Sequence, residues 1–311
     1  MWLLAINLVN IVSNDNYNDD ELDWIDQVFE RSEKLILNNI WDGININSLA
    51  GWRGCLDNHD ALLLGAYLLD NLTFRSRDQF GSMIDSLFSQ VERYLTAQGK
   101  EFDRSDLWKS PGKNPSALMA PVIGLDSPPT KSGPYILRLV QRRYQIHNNY
   151  LAWPAKVMAG TTADAIIFVD DFSGTGTQFC EFSTSIGLKE FHDIHPDCEI
   201  IYCVAVAHEK GIQHIQNELP FVHMIMADRL GNHHSILSDA SFDRYNITGF
   251  KDKVRDQYSR VMSSARLPTK GALSNGFGEL QLAYAFSHAT PNNTLPIFWY
   301  DTPLWTPLLD R

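Results

Sequence analysis

The sequence predicts an α/β protein: a parallel sheet flanked by helices, with an all-helical region ahead of it at the N-terminus. Three observations lead there. The first hundred residues carry apolar stripes at helical spacing. Beyond about residue 110, short apolar runs alternate with amphipathic segments, the pattern of a doubly wound parallel sheet. One of those runs, residues 166–169, ends in two adjacent aspartates and a Ser/Gly/Thr loop.

Taken in order, the opening MWLLAINLVNIVS is apolar but lacks a basic leader and is too short to span a bilayer, so it reads as a packed first segment. Residues 19–37 place Trp24, Val28, Leu35 and Ile36 at helical spacing behind an acidic first turn. Residues 59–72 and 78–96 continue that style, and their aromatic stripes read as helix packing. Arg53, Arg75 and Arg77 read as partner contacts or as solvated charges. Between 99 and 121 the composition turns to Lys, Asp, Pro and Gly, which sets a boundary near 110: a helical region 1–110 and an α/β domain 111–311.

A strand is expected at Val122 to Leu125. A helix follows, starting at Ser132, Gly133 and Pro134, with proline in the first turn where its missing N–H costs nothing. Arg138, Arg142 and Arg143 lie on that helix. Next come a helix from Phe179 to Phe191, a strand from Ile200 to Val206, a helix at 209–219 and a strand from Val222 to Ala227. A polar amphipathic helix at 250–265 and a strand from Leu280 to Phe286 complete the pattern.

Composition narrows the class. With 311 residues and 44% apolar content the chain has ample material for packed cores, and a formal charge of −11 gives no support to broad nucleic-acid or membrane attraction. The four cysteines, at 55, 180, 198 and 203, form no C-x-x-C pair and read as reduced thiols of a cytoplasmic protein. His192, His195 and Cys198, or His233 and His234 with Asp239, have spacings that suggest metal, but neither set completes a zinc pattern.

The chemistry concentrates in residues 165–178, AIIFVDDFSGTGTQ. A run apolar at every position suits an interior parallel strand, and the carboxyl end of such a strand is where open α/β sheets bind ligands. Asp170 and Asp171 stand there. Ser173, Gly174, Thr175, Gly176 and Thr177 follow, a loop whose glycines let the backbone curl and whose hydroxyls add donors, the ingredients of a phosphate nest. Two carboxylates repel a bare phosphate, so the fitting ligand carries hydroxyls or a metal on one side and a phosphate on the other. A ribose 5-phosphate meets that description; an ordinary strand-to-helix turn with a solvated aspartate pair is the plainer alternative. The loop is neither a Walker A motif nor a dinucleotide fingerprint.

These residues resemble the ribose-phosphate signature of type I phosphoribosyltransferases. The resemblance implies that Asp170 and Asp171 hold the ribose 2′ and 3′ hydroxyls and that Thr175, Gly176 and Thr177 wrap the 5-phosphate. Where the family signature closes with Thr or Ser this chain has Gln178, which implies a reshaped or missing phosphate contact. By position, Lys131, Ser132 and Gly133 would take the pyrophosphate loop's role, with Mg2+ carried in on the pyrophosphate, and residues 147–163 would correspond to the family's mobile loop. His208 and Asp228, each expected just after a strand, read as contacts to base or pyrophosphate or as helix caps. His288, Asn292 and Asn293 lie in a proline-bearing loop, His288 and Asn292 completing the candidate substrate contacts, and Trp299 and Trp305 stack a base or pack.

Together with the helical start and the chain's ending, the loop is similar to a divergent phosphoribosyltransferase-like family of bacterial conflict loci. That resemblance implies a toxic effector of an anti-phage system, in some relatives a retron, with a reverse transcriptase bearing its msDNA and RNA and a winged-helix protein as partners. Pentosyl transfer or glycosidic cleavage of a nucleotide or RNA is one expected function. A catalytically inactive nucleotide- or phosphoribosyl-binding module, or an assembly subunit docking through its helical part, is the alternative. No membrane association is expected, and oligomers are compatible with the sequence.

Overall fold

The computed structural model describes residues 19–112, 115–124, 131–160, 162–245 and 249–311, so the apolar opening segment lies outside the described residues. The described residues begin with α1 (Asp19–Leu37), α2 (Ile46–Gly54) and α3 (His59–Asp70), then a short strand β1 (Thr73–Arg75) and the long α4 (Arg77–Ala97). Side-chain caps start these helices where the sequence offers them. Asn45 and Asn58 accept from Ser48 and Ala61 backbone N–H groups, and Ser76 with Gln79 forms a reciprocal capping box on α4.

The sheet follows. Its elements are β2 (Ala117–Pro121), α5 (Ser132–Tyr144), α6 (Pro154–Met158), β3 (Ala165–Ser173), α7 (Thr177–Ile186), α8 (Leu188–Ile194), β4 (Glu199–His208), α9 (Glu209–Glu218) and β5 (Val222–Leu230). The four strands run parallel in the order β2-β3-β4-β5. The chain closes with α10 (Asp239–Phe242), α11 (Phe250–Ser264) and β6 (Tyr284–Phe286). β6 pairs in parallel with β1, Thr73 opposite Tyr284 and Arg75 opposite Phe286.

Period-two alternation divides the sheet's two faces. Ile167, Val169, Ile201 and Cys203 pack toward α4, α5 and the β1–β6 pair, whereas Ile166, Phe168, Ile200 and Tyr202 pack toward α7, α8 and α9. A third core joins α1, α2 and α3 to α11 and to the aromatic end of the chain, including Phe298, Trp299 and Trp305. Trp52 illustrates the join: its ring stacks on Phe298 and its indole N–H donates to the Ile297 carbonyl at 3.0 Å. Trp299 and Trp305 thus pack, with Nε1 of each donating to a backbone carbonyl.

Several expected elements shift. The first strand of the sheet is Ala117–Pro121 rather than 122–125; Pro121 is tolerated because β2 is an edge strand, where a missing N–H breaks no interior ladder. Leu125 lies outside the described residues. The helix expected from Phe179 to Phe191 is two, separated by Gly187 in the left-handed region at φ 69°. The strand expected from Val222 to Ala227 continues to Leu230, so Asp228 lies within it. Of the run from Leu280 to Phe286 only the last three residues form a strand, Leu282 making a single bridge to Thr294.

Candidate functional site

The two aspartates sit at the carboxyl end of β3 and, by the same alternation, look to opposite sides of the sheet. Asp170 turns toward Tyr202, whose hydroxyl lies 3.3 Å from Oδ2, and its Oδ1 accepts the Asp171 backbone N–H at 3.1 Å. Asp171 turns toward the other face, where His288 Nε2 lies 3.2 Å from Oδ2. Ser132, the first residue of α5, bridges them: its hydroxyl is 3.0 Å from Asp171 Oδ1 and 3.4 Å from Asp170 Oδ1. The hydroxyl has one proton to give, and the shorter contact directs it to Asp171.

These surroundings separate the two carboxyl groups. Burial, followed by the adjacent charge of Asp171, raises Asp170 well above the usual carboxylate range. Burial alone would raise Asp171 too, but the hydrogen bond and charge of His288, with the contacts from Asp170 and Ser132, outweigh it and hold Asp171 below its ordinary value. The pair therefore keeps a proton on Asp170 and a negative charge on Asp171. Tyr202, raised chiefly by burial and then by Asp170, stays a neutral phenol behind them.

The loop after β3 is tightly held. Gly176 takes φ 77°, and a Cβ there would lie 2.8 Å from the Gly211 carbonyl of α9; a Cβ on Gly211 would lie 2.6 Å from the Gly174 carbonyl. His214 of α9 bonds the Thr175 carbonyl through Nδ1 at 2.9 Å. Thr175 and Thr177 hydroxyls lie 3.0 Å apart. Thr177 opens α7, so its first backbone N–H groups face the loop.

A cleft of about 910 Å³ unites these groups. Asp171, Ser173 to Gln178, Lys131 and Ser132 line one part, and His288, Asn292 and Asn293 line another. The His288 ring is fixed edge-on to Phe80 at 4.7 Å, stacked on Phe286 at 5.1 Å and tilted to Tyr135 at 5.5 Å. Tyr135, Glu181, Tyr202 and Arg311 also line the cleft and were not singled out from the sequence. Tyr202 had a discernible signal, a lone phenol in an apolar strand; it pairs opposite Phe168, two positions before Val204, the partner of Asp170.

Other expected positions are placed elsewhere. Asp170, 3% exposed, does not line the cleft but supports Asp171 from behind. Gly133 does not line it either; it lets the first turn of α5 approach the end of β2, where a Cβ would meet the Val122 carbonyl at 2.6 Å. His208 is buried and caps α9 by accepting the Lys210 N–H at 3.1 Å. Asp228 pairs with Arg75 at 2.6 Å, away from the cleft, because β5 extends past it. Among its described residues, segment 147–163 holds a turn at Asn148–Tyr150 and α6, whose Val157 is buried in the core against α7, and none of them lines the cleft. His192 stacks on Phe221, and among the described residues no group of three or more His, Cys, Asp or Glu could hold a metal ion.

A parallel sheet with a buried acid pair at one strand's carboxyl end, a Thr-Gly-Thr loop beside it and helices on both faces defines a phosphoribosyltransferase-like fold. The chain belongs to the PRTase-CE family, whose model matches residues 51–311. Among solved structures it is similar to the crystal structure of orotate phosphoribosyltransferase from Aeropyrum pernix, at 16% identity over 49% of this chain and 71% of that one, with a TM-score of 0.27. No curated protein matches the chain.

Proposed function

We propose that the cleft binds a ligand bearing a ribose 5-phosphate and that the protein acts at its C1, by pentosyl transfer or glycosidic cleavage of a nucleotide or RNA. The observation that supports this is the ionised Asp171 and the Thr175–Thr177 loop lining one cleft of about 910 Å³. The loop and the amino end of α7 take the phosphate. Asp171, with the Ser132 hydroxyl beside it, takes a ribose hydroxyl, and Lys131 at the start of α5 takes a second phosphate where the ligand has one. Among the described residues no group of three or more His, Cys, Asp or Glu could hold a metal ion, and Mg2+ would be carried in on a pyrophosphate-bearing substrate.

Titration calorimetry with ribose 5-phosphate and phosphoribosyl pyrophosphate tests the reading. Saturable binding by the intact chain, abolished in Gly176→Val, is expected; no heat with either ligand overturns it. The cellular role proposed with it, a cytoplasmic toxic effector of a bacterial anti-phage system, rests on the family resemblance. Its partners would be a reverse transcriptase with msDNA and RNA and a winged-helix protein. Co-purification with those neighbours, and loss of toxicity in Asp171→Asn, are the expected results.

One observation favours a second reading. Both oxygens of Asp171 already accept from protein donors, and Gln178 stands at the end of the loop. A binding-only module docked to a nucleoprotein would show ligand heat with no product.

A further inference from the structure

We infer that His288 is the acid that protonates a departing nucleobase, so that the substrate is the N-glycosidic bond of a 5′-nucleotide rather than a pyrophosphate donor. This rests on the cleft being a ribose 5-phosphate site. The ring is oriented at both ends. Nε2 is occupied by Asp171 Oδ2 at 3.2 Å, while Phe80, Phe286 and Tyr135 fix the plane. Nδ1 has no hydrogen-bond partner among the described residues, and the side chain lines the cleft with Asp171, Ser132 and Thr175.

A carboxylate on one imidazole nitrogen sets the tautomer and stabilises the imidazolium, leaving the other nitrogen to exchange a proton with substrate. That device suits one leaving group and not the other. Pyrophosphate departs as an anion whose charge its own metal neutralises. A nucleobase departing as an anion is poor, and protonation of a ring nitrogen removes the difficulty. The arrangement also changes what the acid pair does. With Asp170 out of the cleft and hydrogen-bonded by Tyr202, and Asp171 bound to His288, the pair serves the imidazole as well as the sugar.

The step balances with water as co-reactant. The C1–N bond breaks with its electron pair passing to the base, which takes the Nδ1 proton. Water oxygen bonds to C1, and the proton it loses returns to Nδ1. A nucleotide and water become ribose 5-phosphate and free base.

The test compares leaving groups. The intact protein is assayed on the four common nucleoside 5′-monophosphates and on p-nitrophenyl ribofuranoside 5-phosphate, whose phenolate departs without protonation. His288→Ala should lose about 100- to 10,000-fold on the nucleotide that wild type cleaves, and less than about tenfold on the nitrophenyl substrate. His288→Asn, checked for folding by thermal melting, should follow the same split. Equal losses on both substrates, or no loss on the nucleotide, overturn the assignment of His288. Wild type that binds ribose 5-phosphate yet cleaves none of these also overturns it and leaves the cleft's ligand standing. Wild type that neither binds nor cleaves removes the ribose 5-phosphate reading and this inference together.

Discussion

Asn293 fills the space that a side chain would need at Gly174: a Cβ built there falls well inside van der Waals contact of its carboxamide. Asn293 is itself anchored, buried and donating to the Phe277 carbonyl at 2.7 Å. The chain's last part thereby clamps the loop that follows β3.

Gly174→Ala should accordingly cost about 1–3 kcal/mol, the usual range for overpacking a site whose neighbour is held in place. The accompanying loss of ribose 5-phosphate affinity should exceed tenfold. Thermal melting and calorimetry check the two effects. Unchanged values in both would show that Asn293 swings away freely.

The acid pair should respond unequally to amide substitution. Asp170 carries a proton in the fold but none in the unfolded chain at neutral pH, so Asp170→Asn removes the cost of taking that proton up and should leave the protein at least as stable as wild type. Asp171→Asn leaves His288 without its carboxylate in a buried setting and should cost about 3 kcal/mol. Urea unfolding of both variants at neutral pH decides the matter, and equal costs would refute the asymmetry.

Stability should fall on the acid side for a reason that two residues share. Burial would raise Asp70, but hydrogen bonds from Tyr245 and Arg31, together with the charge of Arg244, outweigh it and hold its pKa low, as His288 does for Asp171. A depressed folded-state pKa contributes stability that is present above the unfolded value near ~4 and disappears as pH falls through the folded one. Asp170 runs the other way. Its raised pKa gives a contribution complete below ~4 and lost as pH climbs through the raised value. Denaturation midpoints from pH 3 to 8 should therefore drop below about pH 4. The drop should be smaller in Asp70→Asn, and Asp170→Asn should flatten the decline on the neutral side.

Arg75 ties the β1–β6 pair to the sheet, donating to Asp228 at 2.6 Å and to the Tyr284 hydroxyl at 3.0 Å. About a third of its side chain is exposed, so solvent screens the pair. Arg75→Ala should cost about 1–2 kcal/mol. Its backbone carbonyl also accepts the Ser287 N–H, next to His288. Melting should shift while calorimetry registers little change in ribose 5-phosphate affinity; a selective loss of affinity with unaltered melting would contradict this role.

How far the molecule could be read beforehand depended on the range of the forces involved. α1, α3, α4 and α11 are long enough for their apolar spacing and caps to locate them. β3 and its loop stood out because an interior strand is apolar on both faces and its end is chemically distinctive. The pairing of β1 with β6 left no such trace: three-residue strands have no periodicity to display, and their partners lie far apart in sequence. Pro121 concealed the end of β2 because its exclusion from strands does not extend to edges. Asp170 and Asp171 were visible as a pair, but their division of labour required Tyr202 and His288, which no local pattern connects to them.

The β1–β6 pairing also sets an order of events during synthesis. Arg75 leaves the ribosome 209 residues before Tyr284, about 10–40 seconds at ordinary elongation rates. A nascent chain of that intermediate length owns the acid pair and its loop, but not the strand, the imidazole or the Asn293 clamp that complete the cleft. The site is therefore assembled only after residue 293 has been made, and truncated products that stop short of it carry the motif without the pocket.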